Sequence, residues 1–540
     1  MNDKLKKLST WIPLIIAFSF VAGLLTATLF NRYNTTGAGS KFDRVISMID
    51  QLYVDDLDMD SLVELTLPSL LANLDPHSSY IPASDLQGVN EELDGSFGGI
   101  GVTFTMMNDT ITVLEVISGG PSEKVGLLPG DRIVTINDSI AAGKKWSNDK
   151  VLSQLRGNKG TKVKLGIKRN SSKDLLPFEI TRGDIPVTSI DASYQIEPGI
   201  GYIKVNKFGK NTYEEFITEM IKMKAEGAEK FIIDLRGNGG GYMEPAVLMA
   251  NEFLPQGMNI VSTRGRNMDD SLGSDGSGMF QDNEVAILID EFSASASEIL
   301  SGAIQDNDRG LIIGRRSFGK GLVQNQEMLP DSSAIRLTVA RYYTPSGRCI
   351  QKTYKLGEAA LYSNELADRY SSGELYHADS IKIDKSLAFK TLSGRTVYGG
   401  GGIIPDIFVP TDTSGVSSYY ISVANGGLLQ KYAFEYVDLN RASLSKAKTV
   451  AEIERLLPPD DVVLRNFADF AETNGVPQRW ANINISRGLI VTQLKALISR
   501  DVLNQSAYYT IFNRRDPLVR KAVESLRGGK ASFPLKTLTK

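Results

Sequence analysis

The chain has 540 residues, 42% of them apolar, with 60 Lys and Arg against 63 Asp and Glu. Length alone predicts roughly two to four domains, and the near-neutral balance argues against a nucleic-acid protein, whose binding faces are basic. A single cysteine, Cys349, rules out an internal disulfide, and two histidines, His77 and His377, argue against a histidine-rich zinc site and leave no HExxH motif. A hydrolase built on this chain is expected to work without a histidine base, a metal or another cofactor.

Residues 11–30, WIPLIIAFSFVAGLLTATLF, carry no charge and are long enough to cross a bilayer. Lys4, Lys6 and Lys7 precede them, which predicts a cytoplasmic tip and an outward-facing remainder. A cleaved signal peptide is the competing reading. The run exceeds a usual signal-peptide core and no A-x-A-like site follows, so residues 1–32 are expected to form a tip and an uncleaved anchor.

Residues 41–88 read as helical, through FDRVISMIDQLYV and SLVELTLPSLLANL, until the turn DPHSSYIP. His77 lies in that turn and is expected to hydrogen-bond within it. Residues 89–182 change character: GVTFTMM, ITVLEVI, DRIVTIN and KVKLGIKR are short β-rich runs separated by glycine turns, with the helix-like NDKVLSQLRG before the last. The PGD turn in GGPSEKVGLLPGDRIVTIND, the strand order and the late helix resemble the PDZ domain family. SFGGIGVTF, residues 96–104, looks like that family's carboxylate-binding loop. Backbone N–H groups of Gly99, Ile100 and Gly101 are the candidate donors to a terminal carboxylate, with the peptide adding as a strand. The plainer alternative is a hairpin turn that needs glycine for its dihedrals.

Residues 184–410 alternate strand and helix, the pattern of an α/β domain. GIGYIKVNKF is a strand, TYEEFITEMIKMKAEG a helix closed by Gly227, KFIIDLRGNGGG a buried strand entering a glycine loop, EPAVLMANEFL a helix, VAILID a buried strand and SEILSGAIQD a helix. RGLIIG and a strand pair follow. Residues 352–388 form a charged insert with weak periodicity, read as a surface excursion; His377 sits in its polar stretch YSSGELYHADS. From 411 to 540 the chain is mostly helical and shows no chemistry of its own, which leaves it open to a homo-oligomer contact or an adaptor.

Three places carry candidate chemistry. In EFSASASEIL, Ser295 and Glu298 make an S-x-x-E capping box. A serine at a strand-to-helix turn is also where hydrolases place a nucleophile, because the helix N-terminus offers N–H groups to an oxyanion. From the local residues Ser293, Ser295 and Ser297 all remain open. In RSFGKGLVQ, Lys320 stands between two glycines; turned inward, its amine would lose its charge readily and could accept a serine proton, although a lysine between glycines more often faces solvent. DLRGNGGG fails as a dinucleotide fingerprint, because the third glycine position is Tyr242. It suits one half of an oxyanion hole instead.

SASASEI, FGKGLVQ with its lysine 25 positions after Ser295, DLRGNGGG and LDPHSSYI resemble, in this order, the carboxyl-terminal processing peptidase (tail-specific protease) family. The resemblance covers roughly residues 41–410. It implies a PDZ domain before a crotonase-like α/β core, with Ser295 as nucleophile, Lys320 as general base and Gln324 orienting the amine. It also implies an oxyanion hole from the N–H of Ala296 plus that of Gly239 or Gly240, and a weaker supporting role for Asp306. Ser293 and Ser297 would then pack or cap. The expected protein is a serine endopeptidase on the periplasmic side of a bacterial inner membrane, taking protein or peptide substrates by accessible C-terminal tails. Two rivals stand beside it: an inactive PDZ scaffold at the membrane, and an acyl-CoA enzyme on the crotonase-like core.

Overall fold

The strands Ile200–Val205, Lys230–Asp234, Glu284–Ile289 and Leu311–Gly314 are nearly continuous apolar runs, the signature of strands covered on both faces. In the computed structural model, which describes residues 17–20, 38–117, 119–169 and 172–529, they are neighbours in one six-stranded sheet. Ile190–Glu197 lies antiparallel on one edge and Ile407–Phe408 parallel on the other. Side chains alternate between two cores. Ile203, Phe231, Ile233, Val285 and Ile287 pack under the helices Thr212–Ala225, Met243–Asn251 and Ala296–Asp306. Tyr202, Ile232, Ala286, Leu288 and Ile313 face the other way.

That second face is covered by the last described helix, Pro517–Arg527, through Leu518, Val519, Ala522 and Leu526. Sequence alone left residues 411–540 outside the core. The final helix instead supplies one wall of it, and its chemistry was hidden because an amphipathic helix does not say which apolar face it will cover. Between 418 and 512 the other helices form a separate cluster around Leu429, Phe467, Ile483, Ile490 and Leu494.

A second sheet joins Leu322–Met328, Ala334–Tyr343, Asn259–Gly265 and Asp269–Gly273. Ser79–Ile81 adds to it, pairing Ser79 with Arg336 and Ile81 with Ala334. The segment DPHSSYIP therefore ends not as a free turn but as an edge strand of the core. Helix Ala83–Asp94 then leads to the β-rich module. There the strands run in the order 102–107, 110–116, 132–136, 162–168 and 176–181 around Ile111, Val113, Ile133, Val163 and Ile167. Val102–Met107 is at its edge. Ser96–Gly99 pairs outside this sheet with Gly183–Pro186, so the module closes slightly beyond residue 182.

The first unit, up to Leu71, contains the helix Ala38–Leu52 and all but the last residue of Met59–Ala72. Among the described residues no helix is long and apolar enough to cross a membrane. The expected anchor, residues 11–30, lies outside the described residues except for 17–20.

The insert 352–388 is not a loose surface excursion. It holds the helix Ala359–Ser371, and Tyr362, Arg369, Glu374 and Leu375 are buried. Its charges looked solvated in sequence but are paired: Arg316 with Glu374 at 2.6 Å, Arg369 with Glu365 at 2.7 Å and Lys352 with Glu365 at 3.0 Å.

Candidate active site

Three loops leave the C-terminal ends of adjacent parallel strands, the edge where open α/β sheets place ligands. They are 235–241 after Lys230–Asp234, 290–295 after Glu284–Ile289, and 315–321 after Leu311–Gly314. Their tips line one cleft of about 610 Å³, shared by Gly239, Gly240, Ser295, Ala296, Lys320 and Gln324.

The three serines separate by burial and bonding. Ser293 and Ser297 are fully buried. Ser293 Oγ donates to Leu235 O at 2.9 Å and Ser297 Oγ to Asn238 O at 2.9 Å, so both rivet the glycine loop to the helix start. Ser295 alone of the three lines the cleft. It caps the helix with φ 55° and ψ −115°, a left-handed region that costs a non-glycine residue about 1–3 kcal/mol. Neighbours hold it there: Ala294 N–H donates to Asn238 O at 3.0 Å, Phe318 N–H to Ser293 O at 2.9 Å, and Tyr342 Oη to Ser295 O at 3.1 Å. Gly240 is part of the same fit. A Cβ there would stand 2.7 Å from Ser295 Cβ, and its φ is +100°.

Glu298 is the residue whose weight sequence did not reveal. It is fully buried and takes the capping-box bond from Ser295 N–H at 2.9 Å. It also accepts from the N–H groups of Gly319 at 2.7 Å and Lys320 at 2.9 Å, and from Ser317 Oγ. Burial pushes its carboxyl above the usual range, and these bonds oppose the shift. One carboxylate thus joins the serine turn to the lysine loop. The S-x-x-E spacing announced a cap; only the fold shows that the glutamate also reaches a loop 21 residues on, to Gly319.

Lys320 turns inward. Its Nζ donates to Gln324 Oε1 at 2.9 Å, and Gln324 Nε2 donates to His77 O at 2.6 Å, which fixes the amide with its oxygen toward the amine. Burial lowers the Lys320 amine below its ordinary range, Arg336 adds to this, and Glu298 and Asp75 oppose it. The lysine thus rests beside an acceptor that holds the amine without adding a negative charge, and burial is what favours the uncharged form. Tyr342 Oη, which also touches Ser295 O, lies 2.7 Å from Lys320 O.

The His77 side chain does not bond within the turn as expected, although its N–H donates to Asp75 Oδ1 at 2.8 Å. Its ring Nε2 meets Tyr362 Oη of the insert at 2.8 Å while its peptide oxygen serves Gln324. Burial, with the charge of Lys320 behind it, lowers the imidazole from its ordinary 6.5 to about 4.

Ala296 N–H and Gly239 N–H have no protein acceptor among the described residues, whereas Gly240 N–H donates to Asn238 Oδ1 at 2.9 Å. Of the two glycines it is Gly239 whose donor is left over. Asp306 is not at the cleft. It ends the helix that Ser295 begins, about 16 Å away at helical rise. There it is fully buried against Arg348 at 2.7 Å and accepts from Ser346 Oγ at 2.6 Å, an anchor for the 344–348 turn.

Gly99, Ile100 and Gly101 lie in the β-rich module, at the start of its edge strand. The carbonyls of Ile100 and Gly101 accept from Ser122 and Ile117, each at 3.0 Å. Among the described residues no backbone group accepts from the N–H groups of Ile100 and Gly101, whereas Gly99 belongs to the strand that pairs with Gly183. No cluster of three or more metal-ligating side chains occurs among the described residues.

The family model of peptidase family S41 matches residues 199–356, that of the PDZ domain residues 98–180, and that of a family of unknown function (DUF8443) residues 419–504. A carboxy-terminal-processing protease of Bartonella bacilliformis is 35% identical over 348 residues, 62% of this chain and 79% of that protein. The carboxy-terminal processing protease CtpB of Bacillus subtilis is 32% identical over 350 residues, 64% of this chain and 72% of that protein. Among solved structures, a photosystem II D1 C-terminal processing protease aligns at 24% identity with a TM-score of 0.34, covering 68% of this chain and 92% of that one. The chain belongs to peptidase family S41, among the carboxy-terminal processing proteases, and carries a PDZ domain.

Proposed function

We propose that this protein is a serine endopeptidase with a Ser295–Lys320 dyad. The observation that carries the reading is the half-buried Lys320 amine, held by the neutral Gln324 in the cleft that Ser295 lines. Ser295 Oγ attacks the scissile carbonyl carbon while Lys320 Nζ takes its proton. The oxyanion forms against the N–H groups of Ala296 and Gly239. As the C–N bond breaks, Lys320 returns the proton to the leaving amine. Water then attacks the acyl-enzyme with Lys320 as base again, and Ser295 is regenerated.

The PDZ domain selects substrates by an apolar C-terminal tail, with the carboxylate on the N–H groups of Gly99, Ile100 and Gly101. Gly99→Trp should slow cleavage of tailed peptides but not of amidated ones; cleavage of both at rates unchanged from wild type would remove the capture role. Residues 11–30 anchor the chain, with the catalytic part in the periplasm. An N-terminal epitope tag should stay in the membrane fraction, and its release would argue for a cleaved leader.

The deciding experiment uses purified protein, an unfolded substrate with an apolar C-terminus, and the variants Ser295→Ala and Lys320→Ala. Wild type should cut, and both variants should stay folded and lose about 10⁴-fold or more in kcat. If Ser295→Ala still cuts, the nucleophile is misassigned. If wild type is silent as well, a PDZ scaffold becomes the better reading.

A further inference from the structure

A second cavity of about 630 Å³ lies away from the cleft, between the sheet loops and the C-terminal helices. Five arginines line it: Arg236, Arg315, Arg514, Arg515 and Arg520. Against them stand two carboxylates, Asp412 and Asp516. Three of the arginines have partners, Arg236 with Asp234 and Asp516, Arg315 with Glu291, and Arg514 with Glu454. Arg515 and Arg520 make no ion pair within 4 Å among the described residues. Asp412, the carboxylate nearest in effect to both, is already bonded to Ser414 N–H at 2.8 Å and Ser414 Oγ at 2.5 Å.

Two further features fit a ligand there. Gly488 sits inside the 23-residue helix Trp480–Val502, where glycine costs about 1 kcal/mol relative to alanine. A Cβ at that position would stand 2.6 Å from Arg515 Nη1, so the glycine makes room for a guanidinium. Thr411, on the cavity wall, has its hydroxyl buried with no hydrogen-bond partner among the described residues.

We infer that this cavity binds a phosphate-type anion, held by Arg515 and Arg520, with Arg236 and Arg315 beside them. Guanidinium groups match phosphate oxygens in paired hydrogen bonds. One of these neighbours gives the site a link to the cleft. Arg236 precedes the glycine loop that ends at Gly239 and Gly240, and it is tied at 2.7 Å to Asp516, the cap of the last helix. Occupancy therefore acts on the loop that faces Ser295.

The test is titration calorimetry of the full chain in detergent with inorganic pyrophosphate, and separately with soluble short-chain phosphatidylglycerol. Pyrophosphate should bind, and Arg515→Ala/Arg520→Ala should weaken it at least tenfold. Arg527→Ala, which removes a charge paired with Glu197 elsewhere, should leave binding within twofold. Gly488→Ala keeps every charge and should weaken binding at least threefold, which covers the case in which the double variant fails to fold. Binding of the lipid alone, lost in the same variants, would identify the anion as a headgroup. No binding of either ligand by wild type, or equal binding by the double variant, would overturn the site.

Discussion

Ser295 and Lys320 hang their peptide N–H groups on the same carboxylate oxygen, Glu298 Oε2, each at 2.9 Å. Neither residue is near the other in sequence, so this shared acceptor sets the spacing of the two loops. Glu298→Gln keeps the shape but replaces one acceptor oxygen by an NH₂ group facing N–H donors. Leaving buried N–H donors without their acceptor in this way should cost about 1–3 kcal/mol. Calorimetry should show a lower Tm, and kcat should fall even where the protein remains folded. A variant with wild-type Tm and kcat would mean that the loops are placed by other contacts.

Gln324 offers a sharper test of how the lysine works. Its amide accepts from Lys320 Nζ without adding charge. Gln324→Glu would place a carboxylate there, favour the charged amine and raise the lysine pKa by roughly 1–3 units. Activity needs the uncharged amine, so the rise of kcat/KM with pH should move to higher pH. At neutral pH the variant should be about tenfold or more slower, and it should recover in alkaline buffer. An inflection that stays in place would exclude Lys320 as the titrating base.

Much of this site was legible in the sequence, for reasons that can be named. Strands buried on both faces left apolar runs such as VAILID, and the loops that follow them carried glycine and serine at the sheet edge. The local motifs offered Lys320 and three serines, the family resemblance singled out Ser295 and Gln324, and these residues line one cleft. Long-range partnerships were not legible. Nothing in LDPHSSYI says that His77 lends its peptide oxygen to Gln324, and nothing in the insert says that Tyr362 will meet that histidine's ring. Asp306, given a weaker supporting role by the resemblance alone, stands at the far end of the 11-residue helix that Ser295 begins, as its plain reading as a helix-end polar residue has it.

The insert yields a prediction of its own. Arg369 donates to Ser317 O at 2.8 Å and Phe318 O at 3.1 Å, the residues just before Gly319 and Lys320. Arg369→Ala would strip that brace and leave Glu365 short of a partner. Amide exchange at Gly319 and Lys320 should quicken and kcat should drop about tenfold or more, while binding of a C-terminal peptide to the PDZ domain stays unchanged. Unaltered exchange at those two amides would reduce the insert to a passive cover.

His77 sets an acid limit on the catalytic core. Its folded value near 4 lies below the ordinary 6.5, so the unfolded chain takes up a proton before the folded protein does. Stability is therefore lost as pH falls from 6.5 toward 4, with a slope approaching 1.4 kcal/mol per unit for this group. The ring is not wholly shut from solvent, so about 2 kcal/mol over the window is the expected size. His77→Gln can still reach Tyr362 Oη but does not titrate. Denaturant unfolding at pH 6.5 and 4.5 should show a smaller loss for the variant than for wild type. Equal losses would place the acid sensitivity elsewhere, for example in the Asp75 carboxylate, which burial disfavours but bonds from His77 N–H, Ser78 and Thr338 hold below its ordinary range.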